Sequence, residues 1–442
     1  MNIKKLINYF LIASLVSLLL GVGFGTIAAF QFLYPDVVHI IPFYKMRPLH
    51  VSSVVGWIFL ASTGCIYYFM NETFVLNKFS VKLTKLHFYF FTLGGILLLF
   101  TFLMGKFGGR EYWEGHPAFS ILVVVTWLFF LVNFFRAVIQ VKQKWPVYLW
   151  MWTTGVVFFL ITFIEANLWQ IPYFGNNVVR DLTVQWKAYG ALVGSWNMLV
   201  YGIAMYLVEK ITDTKETATS KLAFYMYFLG FFNLLFGWAH HIYVVPCSPY
   251  IRIISYIVSM TELIILFKII YNAGKSIQSA APHIKQISYQ FLASSDVWIF
   301  LNLALALLIS IPAINLYTHG THVTVAHAMG STIGINTFVL LGGISYIILK
   351  QNQTALQKKA VLIKRGIWIL NGSLFVFWTA LIIAGIKKGL LVINEHASHV
   401  QVMSAIENYL LVFAIAGIGV CTGIIFIAYT LIKTSVALVK EG

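Results

Sequence analysis

The sequence predicts an all-α integral membrane protein, a single bundle of twelve membrane-crossing helices. Three observations predict it. Of 442 residues, 60% are apolar and 17% aromatic while only 10% are charged, far below the roughly one quarter that a water-exposed globule carries. Apolar runs of about 20 residues, the length a helix needs to cross a bilayer, recur along the chain. Lysines and arginines gather in the short segments between those runs rather than in a basic patch. The formal net charge of +16 therefore speaks for membrane orientation and against a nucleic-acid partner.

Taken in order, the first span, 5–33, follows Lys4 and Lys5 and reaches Leu33 with no small-residue cleavage site, so it reads as a retained helix and not a removed signal. Span 49–71 opens behind Arg47-Pro48, and 84–105 lies between Lys82 and Lys106. Spans 119–140 and 147–170 are separated by Lys142, Lys144 and Pro146; 183–208 runs from behind Arg180 to Glu209-Lys210. Span 219–245 stops at Pro246, 250–273 follows Pro249, and 288–312 ends at Pro312. Span 320–349 begins at Gly320 and ends at Lys350, 363–388 begins with Lys364-Arg365, and 404–436 closes the chain. Charge, Pro and Gly are the punctuation throughout. No linker or internal repeat divides the spans, so residues 1–442 form one membrane domain.

Of the 30 Lys and Arg, nine (Lys45, Arg47, Lys106, Arg110, Arg180, Lys187, Arg252, Lys387 and Lys388) fall on one side of the spans and Lys268 falls inside one. The remainder fall on the other side with the two termini, which the positive-inside rule places in the cytoplasm.

Histidines arrive at one depth from distant spans. His50 opens the second span on the outer side, His240 and His241 close the seventh there, and His327 lies about two turns into the tenth from the same side. Leading into and through that tenth span runs Tyr317-Thr-His319-Gly-Thr-His322-Val-Thr-Val-Ala-His327-Ala-Met329. Imidazole at membrane depth is costly and marks function. Structural histidines would be scattered over both ends, so a shared metal or haem site is the reading of this layer. His327 and Met329, two residues apart, lie roughly 200° apart on a helix and serve different groups on opposite faces. His240 and His241, about 100° apart, suit one metal if the helix end is distorted, as Pro246 allows. Cys65, Cys247 and Cys421 stand apart, without CxxC or CxxCH spacing, and read as packing.

Five segments then belong together: Arg47-Pro-Leu-His50, Gly109-Arg110-Glu111-Tyr-Trp-Glu114, Ala239-His240-His241-Ile-Tyr243, Thr261-Glu262, and Thr318-His-Gly-Thr321 with Ala326-His327. Over nearly the whole chain they resemble the catalytic subunit I of the haem–copper oxidase superfamily, in its nitric oxide reductase large-subunit branch. The resemblance implies a twelve-helix bundle of the haem–copper oxidase type in a bacterial cytoplasmic (inner) membrane, with haem sites near the outer side. It makes His327 the ligand of a high-spin haem b, His240 and His241 ligands of a non-haem iron, with copper as the alternative, and His50 an axial ligand of a low-spin haem b. Arg47 and Arg110 fall among the cofactor-binding residues, Glu111 and Glu114 match calcium-binding carboxylates, and Glu262 matches a buried acid near the catalytic pocket.

Some positions depart from the family. Met329 stands where the second low-spin histidine belongs, and a thioether there gives His/Met ligation. Tyr189 falls where the sixth helix carries a third metal histidine, Val193 where it carries a carboxylate ligand, and Asn197 replaces a further carboxylate. Tyr189 is therefore the candidate replacement in the catalytic pocket. The oxygen-reductase tyrosine is absent from the sixth helix, and Leu234, six residues before His240, removes its seventh-helix alternative. No polar run leads from the cytoplasmic face towards the site; Glu209, Lys210 and Thr214 stay in their loop. The implied reaction joins two NO to nitrous oxide and water with two electrons and two protons. A divergent terminal oxidase, an NO-disproportionating enzyme, and a haem relay or gas-sensing subunit without turnover are the other readings. With no haem-attachment motif in the chain, a c-type cytochrome subunit or a quinol donates electrons; the further partners are membrane lipid and a small gaseous substrate.

Overall fold

The computed structural model describes residues 2–74, 76–213, 216–278 and 286–441. Thr214, Lys215 and Lys285 thus lie outside the described residues, as do the side chains of Glu262, Lys268 and Lys275. Twelve long helices follow the expected order: α1 (Ile3–Leu33), α2 (Phe43–Thr73), α3 (Lys78–Leu103), α4 (Pro117–Val138), α5 (Val147–Glu165), α6 (Val178–Thr212), α7 (Lys221–Phe236), α8 (Pro249–Gln278), α9 (Gln286–Ser310), α10 (beginning at His322 and ending at Gln351), α11 (Ala360–Asn394) and α12 (His399–Glu441). Eleven carry a stretch long and apolar enough to cross a membrane; α8, 30 residues long, is the other.

Their starts follow from capping chemistry, which occupies N–H groups that a helix leaves unpaired. The side chains of Asn2, Asn77, Asn177 and Ser220 accept from the backbone N–H of Lys4, Ser80, Arg180 and Ala223, and Pro117 occupies the first turn of α4. α1 packs most extensively on α2, α11 on α12 and α5 on α6. The apolar stretch of α10 is 89% buried inside the protein and that of α3 only 17%, so α10 runs through the centre and α3 faces lipid. A site built on α10 is enclosed by protein.

Two irregular turns set the geometry of that site. Where the sequence predicts one helix over 219–245, regular helix ends at Phe236 and a tight 3-10 turn, Gly237–Ile242, carries both histidines. Gly237 permits it: a Cβ there would fall 1.8 Å from Asn233 Oδ1, and Ser255 Oγ donates to the Gly237 carbonyl at 3.0 Å. α10 is likewise not one regular helix; it is α-helical over His322–Met329, widens into a π turn over Gly330–Thr337 and recovers at Phe338. Thr337 Oγ1 donates to the Thr332 carbonyl at 2.8 Å and accepts from Trp57 Nε1 at 3.1 Å. Such π turns occur mostly at functional sites.

A third difference concerns the half of the bundle that carries the two termini. A buried polar column does enter the bundle there: Asn133 Nδ2 donates to the Ser80 carbonyl at 3.0 Å and to Thr84 Oγ1 at 2.8 Å, and the Tyr67 hydroxyl meets His87 Nδ1 at 3.1 Å. It ends at His87, ringed by Phe10, Phe91, Trp127 and Phe130, and does not reach the outer histidines. The sequence pattern hid it because its members come from three helices.

Close packing of α5 on α6 gives a direct test. A Cβ at Gly202 would lie 2.5 Å from Nε1 of the buried Trp152, whose indole donates to the Leu199 carbonyl at 3.0 Å. Gly202→Ala is expected to cost about 1–3 kcal/mol, the range for overpacking. Gly23→Ala, where the methyl meets nothing within 4 Å, is expected to be neutral or to stabilise by up to ~1 kcal/mol. Thermal unfolding of the two variants in detergent checks the contrast.

Candidate active site

His50 lies in a trough on α1. Its Nδ1 is 2.7 Å from the Gly21 carbonyl oxygen, which can only accept, so this nitrogen carries the proton. A Cβ at Gly25 would fall 2.5 Å from Nδ1 and 2.7 Å from Cε1; glycine there is what admits the ring. With Nδ1–H fixed on a backbone carbonyl, Nε2 keeps its lone pair, the tautomer in which histidine serves as a metal ligand.

The other histidines meet between α6, α7 and α10. The rings of His240 and His241 lie 4.2 Å apart, tilted by 45°. Trp186 of α6 stacks on His241 at 4.9 Å and 11°, and His319 stands 6.4 Å from His241. His327 and His319 lie within electrostatic reach of both members of the pair. The turn is pinned from behind, because Asn315 Nδ2 donates to the His240 carbonyl at 3.2 Å and to the Ile309 carbonyl at 2.8 Å. His240 Nδ1 is buried, facing the Gly237 carbonyl short of hydrogen-bond geometry. His327 Nδ1 is buried too, facing the Asn302 carbonyl short of hydrogen-bond geometry. Outside the spans, burial pushes the His319 imidazole below its ordinary value and keeps it neutral.

α6 presents a different face to this pair from the one its sequence suggests. Trp186, Gly190 and Gly194, one turn apart, line the side towards α7: a Cβ at Gly190 would lie 2.5 Å from Trp238 Cβ, and one at Gly194 3.0 Å from Leu234 Cβ. Tyr189, some 60° round from Trp186, instead sets its ring 5.8 Å from Tyr112, and its buried hydroxyl has no partner. Val193 packs against the main core, and Asn197 Oδ1 accepts from Asn336 Nδ2 at 3.1 Å. Nothing in hydropathy marks which face of a helix is glycine-lined, so the sequence signals Tyr189 and misses Trp186 and Gly190. Met329 is half-buried against the core in the last turn before the π segment.

Above the histidines the loop between α3 and α4 is held by charge. Arg47 donates to Glu111 at 3.0 Å and to Glu114 at 2.7 Å, while Arg110 forms a two-pronged pair with Asp181, one contact at 2.6 Å. Glu114 Oε2 is buried without a partner. Burial pushes its carboxyl up, opposed by the backbone N–H of Glu114 itself and by Arg47. Both carboxylates expected to bind calcium are thus engaged by arginine, and among the described residues no three His, Cys, Asp or Glu stand together to hold a metal. Asp181 escaped the sequence reading; its only signal was an acid in the first turn of α6.

Comparison with known proteins now bears on this layout. The family described as cytochrome c and quinol oxidase polypeptide I matches residues 5–419. The chain belongs to that family. This haem–copper oxidase chain is 23% identical over 396 residues to a nitric oxide reductase subunit of Stutzerimonas stutzeri, covering 84% of this chain and 82% of that protein. It is 22% identical over 461 residues to the cbb3-type cytochrome c oxidase subunit CcoN1 of the same organism, covering 97% and 94%. A solved haem–copper terminal oxidase dimer superposes with a TM-score of 0.79 at 16% identity, over 98% of this chain and 84% of that one, which speaks for the fold.

The residues present fit the family's haems better than its second metal. His50 offers a free Nε2 in a trough that a side chain would fill, and His327 turns its Nδ1 towards the Asn302 carbonyl, which leaves Nε2 as the nitrogen suited to iron. A second metal meets two imidazoles and, among the described residues, no group of three His, Cys, Asp or Glu that could hold it. Gly25→Val is expected to push His50 out of its trough, removing one of two haems while the other stays. Pyridine haemochrome assay with absorption spectra measures this, and an unchanged haem content would show that His50 is not a ligand.

Proposed function

We propose that the chain is a nitric oxide reductase-type catalytic subunit of a bacterial cytoplasmic membrane, with both termini in the cytoplasm, that converts two NO, two electrons and two protons to nitrous oxide and water. The observation that carries this reading is the face of α6: Trp186 stacks on His241, while Gly190 and Gly194 close on Trp238 of the histidine turn and Leu234 of α7, so the residues of α6 on this side offer no phenol to supply a further electron and proton. A two-electron reduction needs no such donor; cleaving O2 fully to water needs four electrons.

In this reading His327 would hold a haem that would supply the iron for NO reduction, and His50 and Met329 would hold a haem that would supply electron relay. His240 and His241 are the donors open to a non-haem iron or copper, but two imidazoles hold a first-row metal weakly, so the chemistry assigned here is their own. Stacking on Trp186 and the clamp from Asn315 hold the pair near His327. Neutral imidazoles there donate N–H to the negative charge that develops on substrate oxygen and pass on protons. Tyr189, Arg110, Glu111 and Glu114 form the outer approach through which protons enter. Electrons come from a separate c-type cytochrome or a quinol.

Anaerobic assay of the reduced, purified chain with an NO electrode and gas chromatography is expected to show NO loss with half as much N2O formed. His241→Ala is expected to lower turnover about 100-fold or more, the scale of a lost proton-transfer group, with haem content retained. Oxygen consumption without N2O from NO would overturn the proposal. Met329→His is expected to lower the potential of the relay haem, since His/Met ligation raises it; redox titration reads this, and an unmoved potential would remove Met329 from the ligand set.

A further inference from the structure

At the opposite end of the bundle, a cavity of about 470 Å³ opens between the start of α1 and the ends of α2, α10 and α12. Lys4 and Lys5 of α1 and Lys350 of α10 line it, with Glu72 of α2 as the one carboxylate among the described residues. Three ammonium groups against one carboxylate leave a surplus of two positive charges, and none of the three lysines is in an ion pair among the described residues. The amino end of α1 adds the positive pole of a helix dipole. Lys350 also offsets the carboxyl ends of α2 and α10, but that role explains neither Lys4 and Lys5 nor an open cavity.

A second observation is independent of the charge. Asn8, 2% exposed, lines the cavity, and its Nδ2 donates to Gln351 Oε1 at 2.9 Å. Its Oδ1 is buried with no partner. A buried acceptor asks for a donor, and a phosphate diester alone carries only acceptors at neutral pH. A ligand matching both features brings an anionic phosphate for the lysines and a hydroxyl for Asn8. An ammonium headgroup would satisfy Asn8 but is repelled by the lysines.

We propose that this cavity binds a phosphate-bearing anion that also presents a hydroxyl, of the phosphoglycerol type. It lies at the ends of membrane-crossing helices, on the side that the positive-inside pattern assigns to the cytoplasm, where basic pockets meet anionic headgroups. Lipid and soluble phosphoglycerol share this chemistry.

The test uses the full chain, delipidated in detergent and titrated by native mass spectrometry with phosphatidylglycerol, phosphatidylmethanol (a phosphate diester without the hydroxyl) or phosphatidylcholine, and separately with glycerol phosphate as competitor. Phosphatidylglycerol is expected to bind about tenfold tighter than phosphatidylmethanol, the scale of one hydrogen bond, and phosphatidylcholine not to saturate. Asn8→Ala is expected to erase the preference between the two anionic lipids, and Lys4→Gln with Lys5→Gln and Lys350→Gln to weaken both, with haem spectra and unfolding temperature unchanged. Displacement by millimolar glycerol phosphate would support the site with a soluble source; resistance to it, with lipid retained, would support the lipid source. Equal binding of all three lipids, or binding unaltered in the lysine variant, would overturn the proposal.

Discussion

A buried nitrogen or oxygen without a partner is costly in a protein core and costlier at membrane depth, and the half of this bundle that carries the histidine layer is organised around that cost. His50 meets it on one side only, giving Nδ1–H to the Gly21 carbonyl. His240 and His327 leave nitrogens unmatched, and the oxygens of Asn302, Asn315 and Asn336 and the hydroxyl of Tyr189 are unmatched too. Most of these polar atoms lie on or beside α10, the most enclosed of the membrane helices. A sequence keeps such atoms there when a bound group satisfies them. The family to which the chain belongs binds haems and a metal, and the haem ligands fit that demand.

Backbone features hold the layer. Glycine at 25 makes room for His50 on α1, glycine at 21 lets α2 approach at Val54, and glycine at 190 and 194 lets α6 close on Trp238 and Leu234. Gly385 and Gly389 let α11 lie against the backbone of Val323 and Tyr317, where a Cβ would fall 2.3 and 1.9 Å from main-chain atoms. The segment bearing His319 and His327 is thereby buttressed from α11, while Asn315 ties it to the histidine turn of α7. With both sides fixed, the imidazoles hold their places without a ligand to order them, which is the preorganisation that electrostatic catalysis requires.

Much of this was legible in the residues. Span lengths and their Pro, Gly and charge punctuation gave the helices and their order, because membrane crossing imposes one length and one hydropathy on each. Spacing showed that His240 and His241 needed a distorted helix end, and the 3-10 turn supplies it. What could not be read was facing. Tyr189 and Val193 stand where a linear match to the family puts metal ligands, yet the residue of α6 that stacks on His241 is Trp186; helix register against a neighbour depends on packing that a uniformly apolar segment does not encode. The π turn of α10, the His87 column and the Arg110–Asp181 pair were hidden for the same reason, since each joins residues distant in the chain or differs from regular helix by one hydrogen-bond register.

The central claim is that the outer layer holds two haems, one on His50 and one on His327. Haem extraction with iron and copper analysis of the purified full chain tests it most directly. The account predicts about two haems b per chain, with His50→Ala and His327→Ala each losing a different one. A colourless protein, or one whose haem content is indifferent to both substitutions, would contradict it.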